Sequence, residues 1–347
     1  MTEISESHHR VEPVPDLSKV SVREGAHPLH LRIAEVILGR FGIVLFMAVL
    51  MVVGQILYSS FLTLGNVSNV ISQNASVGIV AIGMTYVIIG QGFDLSVGGI
   101  YALASVLYPG IAANQSVLLG AAAALGAGLS AGLINAAVVA RVKVNPFVAT
   151  LGSGFVFSGL AYIYTNSAPI SVSKPGFQWL GAQAMLGIPV SIWTLAIITL
   201  IGAFLLSMTS YGRNIYAIGG NLEASRLAGV RVGMVRGSTY VITGVLAALG
   251  GIMVTSQIGV GQANVGGNLA LDSIAMVIIG GTSLSGGEGA VWRTIIGFLI
   301  LSGITNLLQS LGIGSSWQSV ATGAILVGAV SMDVISGRIS IGGILRR

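Results

Sequence analysis

Residues 41–64 read FGIVLFMAVLMVVGQILYSSFLTL, a run without a single charged side chain. A helix needs about 20 mostly apolar residues to cross the hydrocarbon core of a bilayer. The same character extends along the chain, since 54% of its 347 residues are apolar and only 8% are charged. Soluble domains contain about 25% charged residues. The sequence therefore predicts an all-α integral membrane protein and excludes the soluble domains that its length would otherwise allow.

The charged residues are concentrated at the N-terminus. Eleven of them fall within residues 1–40, a polar segment without the early apolar core of a cleaved signal peptide. We therefore predict three parts: a polar cytoplasmic N-terminal tail over residues 1–40, a transmembrane domain over residues 41–338, and a cytoplasmic C-terminal tail over residues 339–347.

The residue types available for catalysis are few. The chain contains no cysteine, and its four histidines, His8, His9, His27 and His30, all lie in the N-terminal tail. Thiolate chemistry, the usual zinc sites and histidine acid–base catalysis are therefore not expected in the membrane domain. We predict no cofactor, no metal site and no catalytic residue, although an enzyme that uses carboxylates remains an unfavoured alternative.

Ten segments are candidates for membrane spans. They are residues 41–64, 71–91, 97–113, 117–140, 147–164, 188–208, 237–258, 269–281, 294–311 and 320–335. With ten spans both termini lie on one side, and fifteen of the 16 lysines and arginines fall on that side, with only Lys174 on the other. The positive-inside rule assigns the basic side to the cytoplasm. The net charge of +5 thus follows from topology and does not call for a nucleic-acid partner.

The sequence also contains an internal echo. VIIGQGFDLSVGG at residues 87–99 is followed about 190 residues later by VIIGGTSLSGG at residues 277–287. Two similar glycine-interrupted segments in corresponding halves are typical of transporters. We therefore predict about ten transmembrane helices in two similar halves, with glycine-broken segments near the midplane, and leave open whether the halves are parallel or inverted.

Three small groups of residues have local interpretations. Asp94 is the only charged residue between Arg40 and Arg141. Because a carboxylate near the bilayer centre costs about 2.5–3.5 kcal/mol, it either lines a polar path or caps a helix that begins near Leu95. The two roles can coexist. Asp272 is interpreted as a helix cap or interface residue, and the Gly128–Gly132 pair as a tight helix-packing surface.

The longest cytoplasmic loop covers residues 211–236. Asn221 suits a helix N-cap and Gly229 suits the position after the helix ends, which predicts a short helix over residues 222–228. This helix would present Leu222 and Leu227 beside charges, either for docking to a partner or as part of a solvated loop. The sequence contains no GxxxxGK[ST] motif. If ATP drives the protein, another polypeptide must therefore bind the nucleotide.

Four long motifs occur in a fixed order: GFDLSVGGIYALAS (residues 92–105), VNPFVATLGSGFVFSGLAYIYT (144–165), SYGRNIYAIGGNLEASRLAGV (210–230) and LDSIAMVIIGGTSLSGGEGA (271–290). Through them the chain resembles the membrane permeases of ribose-type ABC sugar importers. One departure is Ala290, at a position where this family often has a basic residue; the arginine comes three positions later, at Arg293.

The resemblance implies a permease dimer of identical or different chains in a bacterial plasma (inner) membrane. It also implies cytoplasmic ATP-binding subunits and an extracytoplasmic sugar-binding protein. By the same resemblance residues 219–230 are the helix that couples to the ATPase. Its expected coupling residues are Gly219, Gly220, Asn221, Leu222, Glu223, Arg226, Leu227 and Gly229.

The expected function is therefore alternating-access import of a monosaccharide or related polyol. A neutral polyol needs hydrogen-bonding groups and little charge along its path. The predicted substrate-pathway residues are Gln91, Asp94, Ser96, Asn145, Thr282 and Ser285. The alternatives are an ABC permease for branched-chain amino acids and an ion-coupled secondary transporter, which should carry more buried ionisable groups.

Overall fold

The computed structural model describes the backbone of residues 29–344 and the side chains of residues 42–328 and Ser331. Residues 1–28 and 345–347 lie outside this range, and with them most of the predicted N-terminal tail and the end of the C-terminal tail. The helices in the described range are α1 (Leu29–Leu57), α2 (Leu64–Ile89), α3 (Val97–Asn114), α4 (Val117–Ala136), α5 (Pro146–Thr165), α6 (Trp179–Ala182), α7 (Val190–Met208), α8 (Ser210–Gly220), α9 (Leu222–Leu227), α10 (Val232–Ile258), α11 (Leu269–Ile279), α12 (Val291–Ser310) and α13 (Ser315–Ile344).

A π-helical turn, Ala137–Arg141, extends α4. Four two-residue strands complete the secondary structure of residues 29–344: β1 (Ile170–Ser171), β2 (Ala184–Met185), β3 (Ile188–Pro189) and β4 (Val260–Gly261). β1 pairs antiparallel with β4, and β2 pairs antiparallel with β3. The all-α prediction is confirmed.

Seven helices among the described residues are long and apolar enough to cross a membrane: α2, α3, α4 with its π extension, α5, α7, α10 and α12. The apolar part of α1 (Gly42–Leu57) and α11 are shorter. Each of the ten predicted segments overlaps a helix, but α11 has only 11 residues and is therefore about 16 Å long. The number of about ten spans thus stays a prediction.

The core is built around α2, α3 and α10. From Ala75 to its end at Ile89, α2 is buried at every position except Val77. α4 packs closely on α10, because a side chain at Gly128 would meet the Gly244 oxygen at 2.5 Å and one at Gly132 would meet Val241 Cα at 2.7 Å. The predicted packing role of these two glycines is confirmed.

The two ends of the helical bundle differ in charge. At one end the hairpin and strands between α5 and α7 carry Lys174, whose Nζ donates to the Gln115 oxygen at 2.8 Å. At the other end α8, α9 and the start of α10 carry Arg213, Arg226, Arg231 and Arg236. We call these the lysine end and the arginine end. They are the ends that the positive-inside rule distinguishes.

Candidate functional site

The short helix α9 at the arginine end has the termini that its sequence predicts. Asn221 Oδ1 accepts from the Ala224 amide at 2.9 Å, and Gly229 adopts a φ of 83° just after the helix. Glu223 and Arg226 form an ion pair at 2.9 Å, one turn apart. These contacts hold the ends of the helix without help from distant parts of the chain.

α9 is attached to the bundle on one face only. Ser225 is buried, and its Oγ donates to the Asn221 oxygen at 2.8 Å. Leu227 on the opposite side is 84% exposed, while Leu222 is half-buried. The helix therefore offers an apolar side chain and two charges to a partner at the arginine end.

Beside α9, the end of α8 contacts both segments of the internal echo. Gly219 lies against the Ile89 oxygen and the Gly287 backbone so closely that a side chain there would clash with both. The Gly287 amide donates to the Ile89 oxygen at 2.9 Å. Gln91 Nε2 donates to the Gly219 oxygen at 3.0 Å and to the Ser285 oxygen at 3.1 Å. We call these five residues the inner junction.

The neighbours of the inner junction strengthen it. Arg236 Nη2 donates to the Gln91 oxygen at 3.1 Å, which attaches the start of α10. Tyr216 on α8 donates its hydroxyl to the Gly289 oxygen at 2.8 Å. Burial raises the pKa of the Tyr216 hydroxyl, with Arg293 acting in the opposite direction. α8, α10 and both echo segments therefore form one hydrogen-bonded unit.

The two echo segments end their helices in the same way. After α2, the amides of Gly90, Gln91 and Gly92 donate to Tyr86, Ile88 and Val87. After α11, the amides of Gly280, Gly281 and Thr282 donate to Met276, Ile278 and Val277. The middle residue of each set has a positive φ, 58° at Gln91 and 74° at Gly281. The sequence echo therefore corresponds to a repeated helix ending, and the 91–96 and 281–290 stretches interrupt the helices there.

Asp94 and Ser96 belong to a separate, enclosed cluster. Asp94 Oδ1 accepts from the Ser96 amide at 3.0 Å and from its hydroxyl at 2.5 Å. Asn135 Nδ2 on α4 donates to Ser96 Oγ at 2.7 Å, and Ser153 Oγ on α5 donates to Asn135 Oδ1 at 2.7 Å. We call these four residues the Asp94 cluster. It joins the start of α3 and the first half of α5 to the C-terminal end of α4.

Within this cluster Asp94 makes a local contact next to α3. It accepts the amide hydrogen of Ser96, the residue just before α3, and within the described residues no side chain caps the first turn of this helix. Asp94 and Ser96 are both 0% exposed. The second carboxylate oxygen, Oδ2, is buried and has no hydrogen-bond partner among the described residues. One acceptor in the cluster is therefore unused in this conformation.

The other predicted pathway residues lie elsewhere. Asn145 is exposed and caps α5, since its Oδ1 accepts from the Phe147 amide at 3.0 Å. It lines a basic groove of about 810 Å³ beside α9 that also includes Lys143, Arg226 and Arg231. Thr282 is buried against Gly289, and its hydroxyl has no partner among the described residues. The structure thus places Gln91 with Ser285 and Asp94 with Ser96, and leaves Asn145 and Thr282 apart from both pairs.

Sequence reasoning missed two participants. Asn135 and Ser153 complete the Asp94 cluster, and Asn135 could have been noticed as an amide in an apolar span. A second polar site was missed entirely, near the lysine end. This outer groove, of about 390 Å³, includes Asn74, Asn268, Asp272, Ser302, Thr305 and Gln318. Asp272 lies in the first turn of α11, and its side chain makes no capping hydrogen bond within the described part of the chain.

No group of three or more histidine, cysteine, aspartate or glutamate side chains that could hold a metal ion occurs within the described residues. The polar sites of this part of the chain consist mainly of amides, hydroxyls and backbone carbonyls. Such groups can bind a neutral polar solute.

Comparison with known proteins agrees with this picture. A family model described as branched-chain amino acid transport system / permease component matches residues 66–330. The ribose import permease protein RbsC of Bacillus subtilis (strain 168) is 39% identical over 300 residues, covering 86% of this chain and 93% of the relative. RbsC of Escherichia coli (strain K12) is 37% identical, covering 82% and 90%.

A third relative, the L-arabinose ABC transporter permease protein AraH of Azospirillum brasilense, is 31% identical over 93% of this chain and 94% of its own length. No solved structure matches the chain. The family model and these permeases match the chain over most of its length. The chain therefore belongs to this permease family, and within it to the permeases of ribose-type ABC importers that its motifs indicate.

Proposed function

We propose that this chain is the membrane permease subunit of an ATP-driven ABC importer that carries a monosaccharide or related polyol inward. The relatives are named for ribose and L-arabinose, and another, 32% identical over 80% of this chain, is named for xylose. All three are small neutral sugars, which favours a sugar over a branched-chain amino acid as the solute of this protein.

The observation that carries the coupling part of the proposal is the attachment of α9. This helix is capped at both ends and exposes Leu227, and it follows directly on α8. α8 in turn contacts both helix-breaking segments through Gly219. A partner that moves α9 therefore moves α8 and both breaks together, which is what alternating access driven by a separate motor requires.

The partners follow from the same arrangement. We propose that cytoplasmic ATP-binding subunits bind α9 at the arginine end. An extracytoplasmic sugar-binding protein would dock at the lysine end, and a second permease chain, identical or different, would complete the transporter. Both termini would be cytoplasmic and the membrane a bacterial inner membrane. The distribution of lysine and arginine supports this orientation.

The Asp94 cluster fits the role of a fixed point in this movement. Its hydrogen bonds tie α3, α4 and α5 at a single level, and three of its residues are buried while Ser153 is half-buried. In the inner junction, by contrast, Ile89 and Gly219 are buried but Gln91 and Ser285 are exposed. The direct involvement of Gln91, Asp94, Ser96, Asn145, Thr282 and Ser285 in sugar passage stays a prediction.

An ion-coupled secondary transporter is the alternative from a different class. Asp94 is the only fully enclosed carboxylate among the described residues, whereas proton- or sodium-coupled carriers rely on several intramembrane ionisable groups. The scarcity of such groups favours an external motor.

Uptake by the purified chain reconstituted in vesicles tests the proposal. With its ATPase and binding protein present, we expect ATP-dependent accumulation of at least one of D-ribose, L-arabinose and D-xylose. Omitting the ATPase is the control and should abolish accumulation. Accumulation by the permease alone, driven by a proton or sodium gradient, would contradict the proposal.

A further inference from the structure

The outer groove is a polar feature that the coupling argument leaves unused. Asn74 on α2, Asp272 on α11, Ser302 and Thr305 on α12, and Gln318 on α13 share its lining. These residues come from parts of the chain up to about 240 positions apart. Its volume of about 390 Å³ falls in the range of pockets that bind small molecules, about 300–1,000 Å³.

The groove belongs to the half of the bundle that lies away from α9. Asn74 is ten residues into α2, about 15 Å along a helix of about 39 Å, and the far end of α2 joins the inner junction. Thr305 lies near the end of α12, whose first residues follow the second helix break. Gln318 is in the first turn of α13. The groove therefore lies toward the lysine end.

Several hydrogen-bonding groups in the groove have no partner among the residues that the structure describes. Ser302 is only 2% exposed, and its hydroxyl makes no hydrogen bond among the described residues. The Asp272 carboxylate takes no part in the one ion pair of the described residues, between Arg226 and Glu223. Asn74 uses its Nδ2 to donate to the Val70 oxygen at 2.9 Å, which leaves its amide oxygen available. Of these three residues Ser302 is buried and the other two are half-buried, and a buried hydroxyl without a partner is unfavourable unless water or a ligand satisfies it.

The surface beside the groove is apolar, but the polar lining of the groove itself is incompatible with contact to lipid. Leu271 and Val320 beside it are 52% and 59% exposed, as lipid- or protein-facing residues are. A carboxylate with several hydroxyls and amides at this depth faces water or a polar solute, since hydrocarbon offers no hydrogen bonds. Toward the inner junction the lining changes to apolar, because Met276 and Leu326 lie about one turn beyond Asp272 and Thr322.

We propose that the outer groove is the outward-open part of the sugar passage, where a monosaccharide or related polyol contacts Asp272, Ser302 and Thr305 before it moves inward. This inference rests on the proposed function and replaces none of it. The carboxylate and the Asn74 oxygen accept hydrogen bonds from sugar hydroxyls, and the Ser302 hydroxyl donates or accepts. Met276, Leu301 and Leu326 supply an apolar wall for the C–H groups of the ring.

Because the chain has no cysteine, single cysteines report on the groove without background. We would make Thr305→Cys and Asn74→Cys and add a membrane-impermeant, positively charged methanethiosulfonate reagent from the extracytoplasmic side. The matched control is Thr194→Cys. Thr194 and Thr305 are both half-buried near the lysine end, and each donates its hydroxyl to the carbonyl four residues before it. Thr194 does not line the groove.

We expect the reagent to modify both groove cysteines and to abolish most of the ATP-dependent uptake, and a transported sugar such as D-ribose to slow the reaction. Modification of Thr194→Cys should leave uptake unchanged. Asp272→Asn should raise the sugar concentration for half-maximal uptake about tenfold, as expected when a charged hydrogen bond is weakened. If wild-type uptake is normal but the groove cysteines are inert, or react without loss of uptake, the passage lies elsewhere. Absence of any wild-type uptake would instead overturn the proposed function.

Discussion

At the scale of single residues, the hydrogen bonds among buried polar side chains contribute to the stability of the fold. Asp94 is kept in an apolar region by two hydrogen bonds from Ser96, and Ser96 in turn accepts from Asn135. Such a chain of bonds is worth more than its members separately, because every partner that is removed leaves another buried group unpaired. Ser96 is central, since its hydroxyl contacts both Asp94 and Asn135.

Ser96→Ala should therefore destabilise the protein. It removes the hydroxyl bonds to Asp94 and Asn135, and each unsatisfied buried group costs about 1–3 kcal/mol. We expect a lower thermal unfolding midpoint in detergent. Ser130→Ala is the control, because Ser130 is exposed and its hydroxyl bonds only to the Gly126 oxygen of its own helix. Equal midpoints for the two variants would show that the cluster contributes no stability.

At the scale of elements, glycine positions decide how closely helices approach. Along α4, Gly126 and Gly128 are neighbours with opposite surroundings. A side chain at Gly126 would meet nothing within 4 Å, whereas one at Gly128 would collide with Ala248 and with the Gly244 oxygen of α10. The same residue type therefore has a structural role at one position and none at the other.

Gly128→Ala should separate α4 from α10 and destabilise the bundle by about 1–3 kcal/mol, the usual effect of overpacking. Gly126→Ala should leave stability unchanged or raise it slightly, since alanine favours helix. Thermal unfolding in detergent compares the two directly. A Gly128→Ala protein as stable as wild type would mean that the helices are not held in this close contact.

α9 makes the second element-scale prediction, which concerns binding rather than stability. Leu227 is 84% exposed, so Leu227→Ser should hardly affect folding. If the ATPase buries this side chain, its loss should weaken the complex by about 1.5–3 kcal/mol, roughly 10- to 100-fold in Kd. Co-purification and ATPase titration would measure the change.

Leu186→Ser is the control for Leu227→Ser. Leu186 is 87% exposed but lies in the hairpin at the lysine end, so its replacement should leave ATPase binding at the wild-type level. Similar effects of the two substitutions would show that Leu227 has no special part in docking.

At the scale of the whole molecule, the uneven placement of charge orients the protein in its membrane. Arginines gather around α8, α9 and the start of α10, and the far end carries Lys174. The positive-inside rule then predicts that α9, the proposed coupling helix, faces the cytoplasm and that the outer groove lies toward the opposite side. ATPase and sugar-binding protein would thus act on opposite ends of one bundle.

Cysteine labelling in intact cells tests this orientation. Met185 at the lysine end and Met234 at the arginine end are exposed by 46% and 66%. An impermeant maleimide added outside should label Met185→Cys at once and Met234→Cys only after the membrane is made permeable. The reverse pattern would invert the topology and remove the basis for coupling through α9.

The sequence alone was sufficient wherever the determining interactions are local. Hydrophobic runs predicted the membrane helices, and Asn221 with Gly229 predicted the bounds of α9 to within a residue, because a cap depends on neighbours three or four positions away. The echo at residues 87–99 and 277–287 corresponds to the same helix ending after α2 and after α11, while the two similar halves with breaks near the midplane stay a prediction.

Tertiary structure alone decided which polar groups meet. Gln91 contacts Gly219 and Ser285, and Ser96 contacts Asn135, across separations that no sequence period encodes. The outer groove combines four helices in the same way, although Asp272 had suggested only a cap or interface. In an apolar chain a buried hydrogen-bonding group is stabilised by bonding to a polar group that helix packing places next to it. Its role therefore depends on how the helices assemble and not on its neighbours in sequence.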